Sequence, residues 1–288
     1  MNKKRQISII VLLVAVLAGV ASFIGIFLQF GDGSFIYQSI RGHDIEIYGR
    51  GLYQHMPSDV AVQGIAQDYV TLFIAIPFLL ISLLGYLKNS IRSFFLLSGI
   101  LGYFFVTYLF YTAMGMYNFL FLCYVTLLAF SFFGLFISIR VLEQISHYQF
   151  SEKTPAKSVG SFLMINAVAI ACLWLGIIVP PLFDGSIYPL ELNHFTTLIV
   201  QGFDLGLLLP VSFVVGFLLF RKKKIGYIYS TIYLGFLSLL MTALTAKIIA
   251  MAINGVNVIP VIFIIPSFNL ITVLCTFYMI KNIKTKPQ

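Results

Sequence analysis

Two residues of opposite charge lie inside long apolar stretches of the chain, where charged side chains are rare. Asp204 and Lys247 are each about five residues from the end of their stretch, which corresponds to roughly 7–8 Å of helix. An unpaired charge at such a depth in a bilayer is costly, and an opposite charge offsets much of that cost. An ion pair between Asp204 and Lys247 is therefore one interpretation. Two others stay open: Lys247 reaches the lipid headgroups with its flexible stem, or one of the charges belongs to a solute or proton pathway.

Further polar side chains occur at helical spacing in the same kind of stretch. Thr197, Gln201 and Asp204 follow an i, i+4, i+7 pattern, which places them on one helix face. The candidate intramembrane polar site consists of Asp68, Thr71, Gln201, Asp204 and Lys247, and its lining residues are Tyr103, Thr107 and Tyr111. Tyrosines at this spacing also pack and hydrogen-bond between helices, so a purely structural role is the alternative for the lining residues.

Patterns for catalysis, metal binding or cofactor binding do not emerge from the sequence. There is no Walker, GxSxG, HExxH or CxxCH motif, and the three cysteines each lie inside an apolar stretch, which is typical of packed thiols. His43, His55 and His194 lie among acidic loop residues without the spacing of a ligand set. We therefore predict no metal and no cofactor, and an enzyme is the less favoured class.

The elements that carry these residues follow from hydropathy. Of 288 residues, 60% are hydrophobic and 10% are charged, whereas a soluble domain has about 25% charged residues. Runs long enough to cross a bilayer occur at about 7–30, 69–87, 93–113, 117–139, 159–181, 197–220, 226–252 and 258–280. The sequence predicts an all-α, polytopic membrane helix bundle of eight transmembrane helices in contact with the lipid bilayer.

The positions of the basic residues predict the orientation of the chain. Of the 18 Lys and Arg residues, all except Arg41, Arg50 and Lys247 fall on the side that contains the N-terminus, and Lys286 is the last of them. This bias predicts that both termini are cytoplasmic, in a cell membrane, and it argues against a nucleic-acid partner. The first run resembles a secretory signal but continues to Phe30, so we expect it to be retained rather than cleaved.

An internal repeat is indicated by a comparison of the two halves. Residues 68–113 align without gaps on residues 201–246, at an offset of 133 positions. The alignment matches Pro77 with Pro210, Gly102 with Gly235, and the polar pair Asp68 and Thr71 with Gln201 and Asp204. We predict two four-helix units in parallel 4+4 tandem: residues 1–150 with a long outer loop at 31–67, and residues 151–288 with an outer loop at 182–196.

The first long loop contains two local signals. Residues 44–53 alternate apolar and polar side chains and then reach glycine, which favours a short strand. Ser58 follows Pro57 and is expected to be the N-cap of a short helix that leads into the second run.

Three segments together resemble a known family: GRGLYQHMPSDVAVQGIAQDYVTLFIAIPFLL at 49–80, GILGYFFVTYLFYTAMGMYNFLFLCYVTLLAFS at 99–131, and LWLGIIVP at 173–180 followed by FDLGLLLPVSFVVGFLLFRKKKIGY at 203–227. They are similar to bacterial and archaeal multi-pass membrane proteins with no established activity. Family members often have arginines where this chain has RKKK. The resemblance implies a membrane protein of about eight helices and supplies no substrate and no catalytic residue.

Two function classes agree with these features. The favoured one is a transporter or permease-like protein for a small solute, lipid or ion, because duplication and intramembrane charge are both typical of transporters. The alternative is a non-catalytic membrane sensor, assembly or partner-binding protein that uses its outer loops. The partner is accordingly a small-molecule ligand or a membrane protein, and the sequence predicts neither its identity nor the oligomeric state.

Overall fold

The computed structural model describes residues 3–285 and is mostly helical. Residues 1, 2 and 286–288, and with them Lys286 of the predicted basic cluster, lie outside the described residues. Between residues 3 and 285 there are eight helices long and apolar enough to cross a membrane, which confirms the predicted number. They are α1 (Lys3–Phe27), α2 (Ser58–Leu87), α3 (Ile91–Ala113), α4 (Phe121–Gln144), α5 (Ala156–Ile178), α6 (Ile199–Phe220), α7 (Lys224–Ile253) and α8 (Val261–Lys281).

Helix α2 is longer than hydropathy predicts. It begins at Ser58 and runs without a break to Leu87, so the expected short helix and the second run form one helix. The prediction that Ser58 is the N-cap is wrong, because Pro57 occupies that position with extended backbone angles and Ser58 is the first helical residue. Proline presets the backbone for this helix entry, and the bridge between Pro57 and Ile47 holds it there.

Two helices contain one widened, π-helical turn each. In α2 this turn is Thr71–Ala75 and in α6 it is Asp204–Leu208, which places the two turns 133 residues apart. Pro77 and Pro210 follow the turns, and a proline cannot donate a hydrogen bond to the carbonyl four residues earlier. A π turn re-pairs the backbone around such a gap. Each polar residue that opens a turn, Thr71 or Asp204, therefore lies where the helix geometry changes.

The turns that follow these helices also correspond. Asn89 and Lys222 are non-glycine residues with positive φ, at 64° and 52°, and they are again 133 positions apart. The next helices begin at Ile91 and Lys224, which have the same separation. Local backbone geometry thus recurs at the offset seen in the sequence alignment.

The contacts of the described chain form two units. The first contains the chain up to Phe35, Ile47–Thr154, and the chain from Thr231 onwards. Within it, α3 packs against α2, α4 and α8, and α1 packs against α2 and α4. Helix α3 lies close to α7 at Gly99, where an added Cβ would lie 2.8 Å from the carbonyl oxygen of Ile232. These contacts make α3 the central helix of the first unit.

One end of the first unit contains several basic residues, together with the first and last described segments of the chain. Lys3 donates to Gln144 at 2.8 Å, and Lys4 donates to the carbonyl of Leu87 at 2.8 Å. Strand β3 (Tyr148–Phe150) pairs antiparallel with strand β4 (Ile283–Thr285), and the guanidinium of Arg92 donates to the carbonyl of Ile283 at 2.9 Å. The segments assigned to the inner side in this unit therefore lie together.

The second unit contains Ile36–Glu46 and Pro155–Ser230. Helices α5 and α6 pack closely, and Ser212 of α6 donates to the carbonyl of Leu163 in α5 at 3.2 Å. Strands β1 (Phe35–Gln38) and β2 (Asp44–Ile47) form a hairpin, which confirms the short strand expected at the start of 44–53. The predicted division of the chain at residue 150 stays a prediction.

Candidate functional site

Asp68 is the most deeply buried acidic side chain of the candidate site, with 2% of its surface exposed. It lies ten residues after the start of α2, or roughly 15 Å along the helix axis. Ala61 and Thr71 lie seven residues before and three residues after Asp68, on the same face of the helix, and both are buried. This face is turned toward Gly25 of α1 and Tyr111 of α3. The structure thus places a carboxyl group inside a bundle of apolar helices.

Two tyrosine hydroxyls donate to the two oxygens of the Asp68 carboxyl. Tyr53 Oη lies 2.6 Å from Oδ2, and Tyr111 Oη lies 3.1 Å from Oδ1. The two hydroxyls are 3.1 Å apart, and Tyr111 is also 3.3 Å from the carbonyl oxygen of Gly64. Tyr53 belongs to the short 3-10 turn Gly51–Tyr53 of the connecting loop, whereas Tyr111 belongs to α3. The carboxyl is therefore held jointly by a helix and a loop.

Small residues of α1 and α2 permit this close packing. A Cβ on Gly25 would collide with Asp68 Oδ2, and one on Gly64 would lie 2.6 Å from the ring of Tyr53. Ser22 is fully buried one turn before Gly25 and lies beside the Asp68 carboxyl, but it forms no hydrogen bond of good geometry. Glycine at 25 and 64 is thus a requirement of the site, because any larger side chain would displace the carboxyl or Tyr53.

A second polar group continues from Asp68 along the interface of α2 and α3. Gln67 Nε2 donates to Tyr103 Oη at 2.7 Å and to Thr107 Oγ1 at 3.2 Å. Tyr103 Oη also lies 2.9 Å from Thr71 Oγ1, at the start of the π turn. Gln67 Oε1 is buried and has no hydrogen-bond partner. Two neighbouring hydrogen-bonded groups, one around Asp68 and one around Gln67, together make up the α2–α3 polar cluster: Asp68, Tyr53 and Tyr111 in the first group, and Gln67, Thr71, Tyr103 and Thr107 in the second.

More tyrosines surround the carboxyl. The rings of Tyr108, Tyr111 and Tyr124 contact one another with centroids 5.3–5.9 Å apart. Burial, and secondly the nearby charge of Asp68, raises the pKa of Tyr53 well above its ordinary value. Tyr53 therefore keeps its proton across the physiological pH range and serves as a hydrogen-bond donor.

Lys247 belongs to the same unit as Asp68. It is half-buried in α7 and lies close enough to Asp68 for an attractive electrostatic interaction. Asp204, the partner proposed from the sequence, belongs to the second unit. The ion pair between Asp204 and Lys247 stays a prediction, and Asp68, another member of the candidate site, is an acidic neighbour of Lys247 within the first unit.

The second unit has its own carboxyl at a π turn. Asp204 accepts a hydrogen bond from Trp174 Nε1 at 2.8 Å, and Gln201, one turn earlier on α6, is 9% exposed. Trp174 comes from α5, which packs against α6. The convergence of Gln201 and Asp204 with the α2–α3 polar cluster stays a prediction.

A separate cavity of about 240 Å³ lies between the β1–β2 hairpin and the loop that follows α5. Its lining residues include His43, Asp44, Tyr188 and Asn193. Arg41 ties the hairpin to this loop, because it donates to the carbonyls of Asn193 and Phe195, at 3.2 and 3.1 Å, and lies over the ring of Tyr188. Among residues 3–285 no group of three or more His, Cys, Asp or Glu side chains is arranged to hold a metal ion.

Three contributors to the site were missed from the sequence: Tyr53, Gln67 and Gly25. Tyr53 lies in a loop, where periodicity gives no signal. Gln67 directly precedes Asp68, so a helix face that is defined by every third or fourth residue from Asp68 does not include it. The small-residue spacing of Ser22 and Gly25 in α1 was the available signal, since small residues mark close contacts between membrane helices.

Comparisons of the chain with protein-family models, with curated proteins and with solved structures give no match. The family resemblance described above is therefore not identified by them. The eight long apolar helices of the described residues are those of a multi-pass membrane protein.

Proposed function

We propose that this protein is a transporter or permease-like protein that moves a small solute, lipid or ion across the membrane, with Asp68 as its central functional group. The observation that carries the proposal is the burial of the Asp68 carboxyl among Tyr53, Tyr111 and the backbone of α1. Ionisable side chains at such positions are rare in membrane helices and mark solute or ion pathways.

A purely structural role for Asp68 is the weaker explanation. Replacing buried polar or ionic groups by packed apolar residues is often neutral or stabilising, so helix packing alone does not require a carboxyl. The α2–α3 polar cluster also includes the first residue of a π turn, Thr71, and such turns are frequent at functional sites. The expected arrangement is a carboxyl that changes its partner or its charge during the transport cycle.

The proposed architecture is a parallel 4+4 repeat in a cell membrane, with cytoplasmic termini. The recurrence of the π turns, the positive-φ turn residues and the helix starts at an offset of 133 residues supports the repeat. The gathering of Lys3, Lys4 and Arg92 at one end of the first unit supports the orientation. In this scheme Gln201 and Asp204 are the second copy of the pair Asp68 and Thr71.

Charge movement in reconstituted protein tests the proposal. Proteoliposomes adsorbed on a solid-supported membrane are exposed to pools of amino acids, sugars, nucleosides, inorganic ions and short-chain lipids. We expect at least one pool to elicit a transient current that is lost in Asp68→Asn. Asp59→Asn is the matched control, because Asp59 is an exposed carboxyl in the first turn of the same helix. Currents that are equal in wild type, Asp68→Asn and empty liposomes contradict the proposal.

A ligand-sensing role for the loop cavity is the second candidate function. The cavity of about 240 Å³ favours it, because His43, Asp44 and Tyr188 are polar groups around a small concave surface. A thermal-shift measurement with the same solute pools tests this role. A stabilisation that is lost in His43→Ala and kept in His55→Ala, a histidine outside the cavity, supports it. No stabilisation by any pool contradicts it.

A further inference from the structure

The hydrogen bonds around Asp68 can satisfy its carboxyl in either protonation state. The hydroxyl oxygen of Tyr111 lies 3.1 Å from Asp68 Oδ1 and 3.3 Å from the carbonyl oxygen of Gly64. One hydroxyl carries one proton, so Tyr111 donates to only one of these two oxygens at a time. Two alternative patterns are therefore available without movement of any heavy atom.

In the ionised pattern both carboxylate oxygens accept. Tyr53 donates to Oδ2 at 2.6 Å, and Tyr111 donates to Oδ1. Hydrogen bonds to an ionised acceptor are the stronger kind, and they offset part of the cost of burying the charge. Lys247 adds an attractive electrostatic interaction from α7.

In the neutral pattern the added proton resides on Oδ1. The Asp68 hydroxyl then donates to Tyr111 Oη, Tyr111 turns its own proton to the carbonyl of Gly64, and Tyr53 still donates to Oδ2. Every polar atom of the three side chains keeps a partner in this state, which avoids the penalty of an unsatisfied buried group. The only covalent change is a proton transfer: an O–H bond of a hydronium ion breaks as the bond between the proton and Oδ1 forms.

We infer that the ion bound at Asp68 is a proton, and that Tyr111 is the positioning residue that accommodates both protonation states. The inference rests on the proposed function, because it names the ion that is coupled to transport there. Protonation of Asp68 removes an attraction on Lys247 and so relaxes one tie between α2 and α7. Proton binding at Asp68 would in this way act on α7.

The geometry does not suit a metal ion at the same place. Hard cations such as Ca²⁺ and Mg²⁺ take six or more oxygen ligands, and the two carboxylate oxygens of Asp68 here face hydroxyl protons. The backbone of Gly25 lies against Oδ2 so closely that not even a methyl group fits. A proton is the cation that needs no additional volume.

Titratable side chains face Asp68 from the loop before α2 and from helices α3, α4 and α7. Tyr53 comes from the loop, Tyr103, Tyr108 and Tyr111 from α3, Tyr124 from α4 and Lys247 from α7, each close enough to interact electrostatically with the carboxyl. Helix α1 contributes Gly25 and the uncharged Ser22. The phenols act here as hydrogen-bond donors, and the proposed proton site is the Asp68 carboxyl.

Infrared difference spectroscopy of the full chain in nanodiscs tests the inference. Spectra are recorded between pH steps, first in choline chloride and then in sodium or potassium chloride at equal ionic strength. We expect a carboxylic-acid C=O band that is lost in Asp68→Asn and kept in Asp59→Asn, with a midpoint that does not change between the salts. We also expect Tyr53→Phe to move the band to higher wavenumber, because Oδ2 loses its hydroxyl donor.

Two results overturn the inference: no band that depends on Asp68 at any pH, or a midpoint that moves when sodium or potassium replaces choline. If Asp68→Asn does not fold, the Tyr53→Phe spectrum decides, and an unshifted band overturns the inference. The spectra need no transported solute. If Asp68 titrates but no solute pool gives a current, the proposed transport function is wrong and the proton assignment stands. If the currents depend on Asp68 but the midpoint changes with sodium, the transport function stands and the assignment of the bound ion as a proton is wrong.

Discussion

Gly25→Ala places a methyl group where Asp68 Oδ2 lies, and this overlap should lower the free energy of unfolding. The added Cβ would also come within 3.0 Å of Asp68 Cγ, so the carboxyl must move as a whole. Its displacement weakens the bonds from Tyr53 and Tyr111, now 2.6 and 3.1 Å long. Overpacking costs about 1–3 kcal/mol and a net hydrogen bond about 1 kcal/mol. We expect a loss of about 2–4 kcal/mol in the free energy of unfolding.

The measurement is reversible unfolding in mixed micelles or nanodiscs, with Gly176→Ala as the control. Gly176 is also a helical glycine, but a Cβ there meets nothing within 4 Å, so the expected change is a gain of up to about 1 kcal/mol. The decisive comparison repeats Gly25→Ala in an Asp68→Ala background, where the obstructing carboxyl is gone. There the loss should shrink to below about 1 kcal/mol. An equal loss in both backgrounds would refute the reasoning.

Asp204→Asn should change the emission of Trp174, the one tryptophan of the chain, because it alters the acceptor 2.8 Å from the indole nitrogen, whereas Asp184→Asn should leave the emission unchanged. Arg92→Ala should increase amide hydrogen exchange in β4, whose Ile283 carbonyl loses a donor at 2.9 Å, and unchanged exchange would contradict the role of Arg92. Burial raises the pKa of Tyr148 to about 12, whereas an unfolded tyrosine ionises at about 10. The preference of the folded state for neutral Tyr148 therefore stabilises the protein below pH ~10. This stabilisation is lost as the pH rises from about 10 to 12. A Tyr148→Phe protein should show a smaller loss over that range in alkaline unfolding measurements.

Hydropathy and helical periodicity predicted the parts of this protein that depend on local sequence. The eight spans are long apolar segments, and in a bilayer such segments have few alternatives to a helix. Tyr103, Thr107 and Tyr111 share a face of α3 because of their spacing, and the structure brings that face to Asp68 and Thr71. For these residues the spacing in the sequence was enough to place them on one helix face.

The remainder of the site depends on contacts between distant segments. Tyr53 reaches Asp68 from an irregular loop, and nothing in the loop sequence distinguishes it from the other tyrosines of that loop. Gly25 is recognisable as a contact only when its neighbour across the helix interface is known. Ser58 has the right residue type for an N-cap, but Pro57 takes the position because its backbone is already extended. In each case tertiary packing decides, and local propensity does not.

The π turn in α2 has a consequence for how the site is tied to the rest of its helix. A π turn is an α-helix with one extra residue, so the residues before Thr71 are rotated by about 100° relative to those after Ala75. Removal of a single residue from this turn would restore a regular helix and rotate Asp68 away from Tyr53 and Tyr111, while Leu79 and Leu83 kept their packing. The angular position of the carboxyl is thus encoded by the number of residues in one turn. A one-residue insertion or deletion in this turn would rotate the Asp68 carboxyl about the helix axis. The same applies to Asp204 at the π turn of α6.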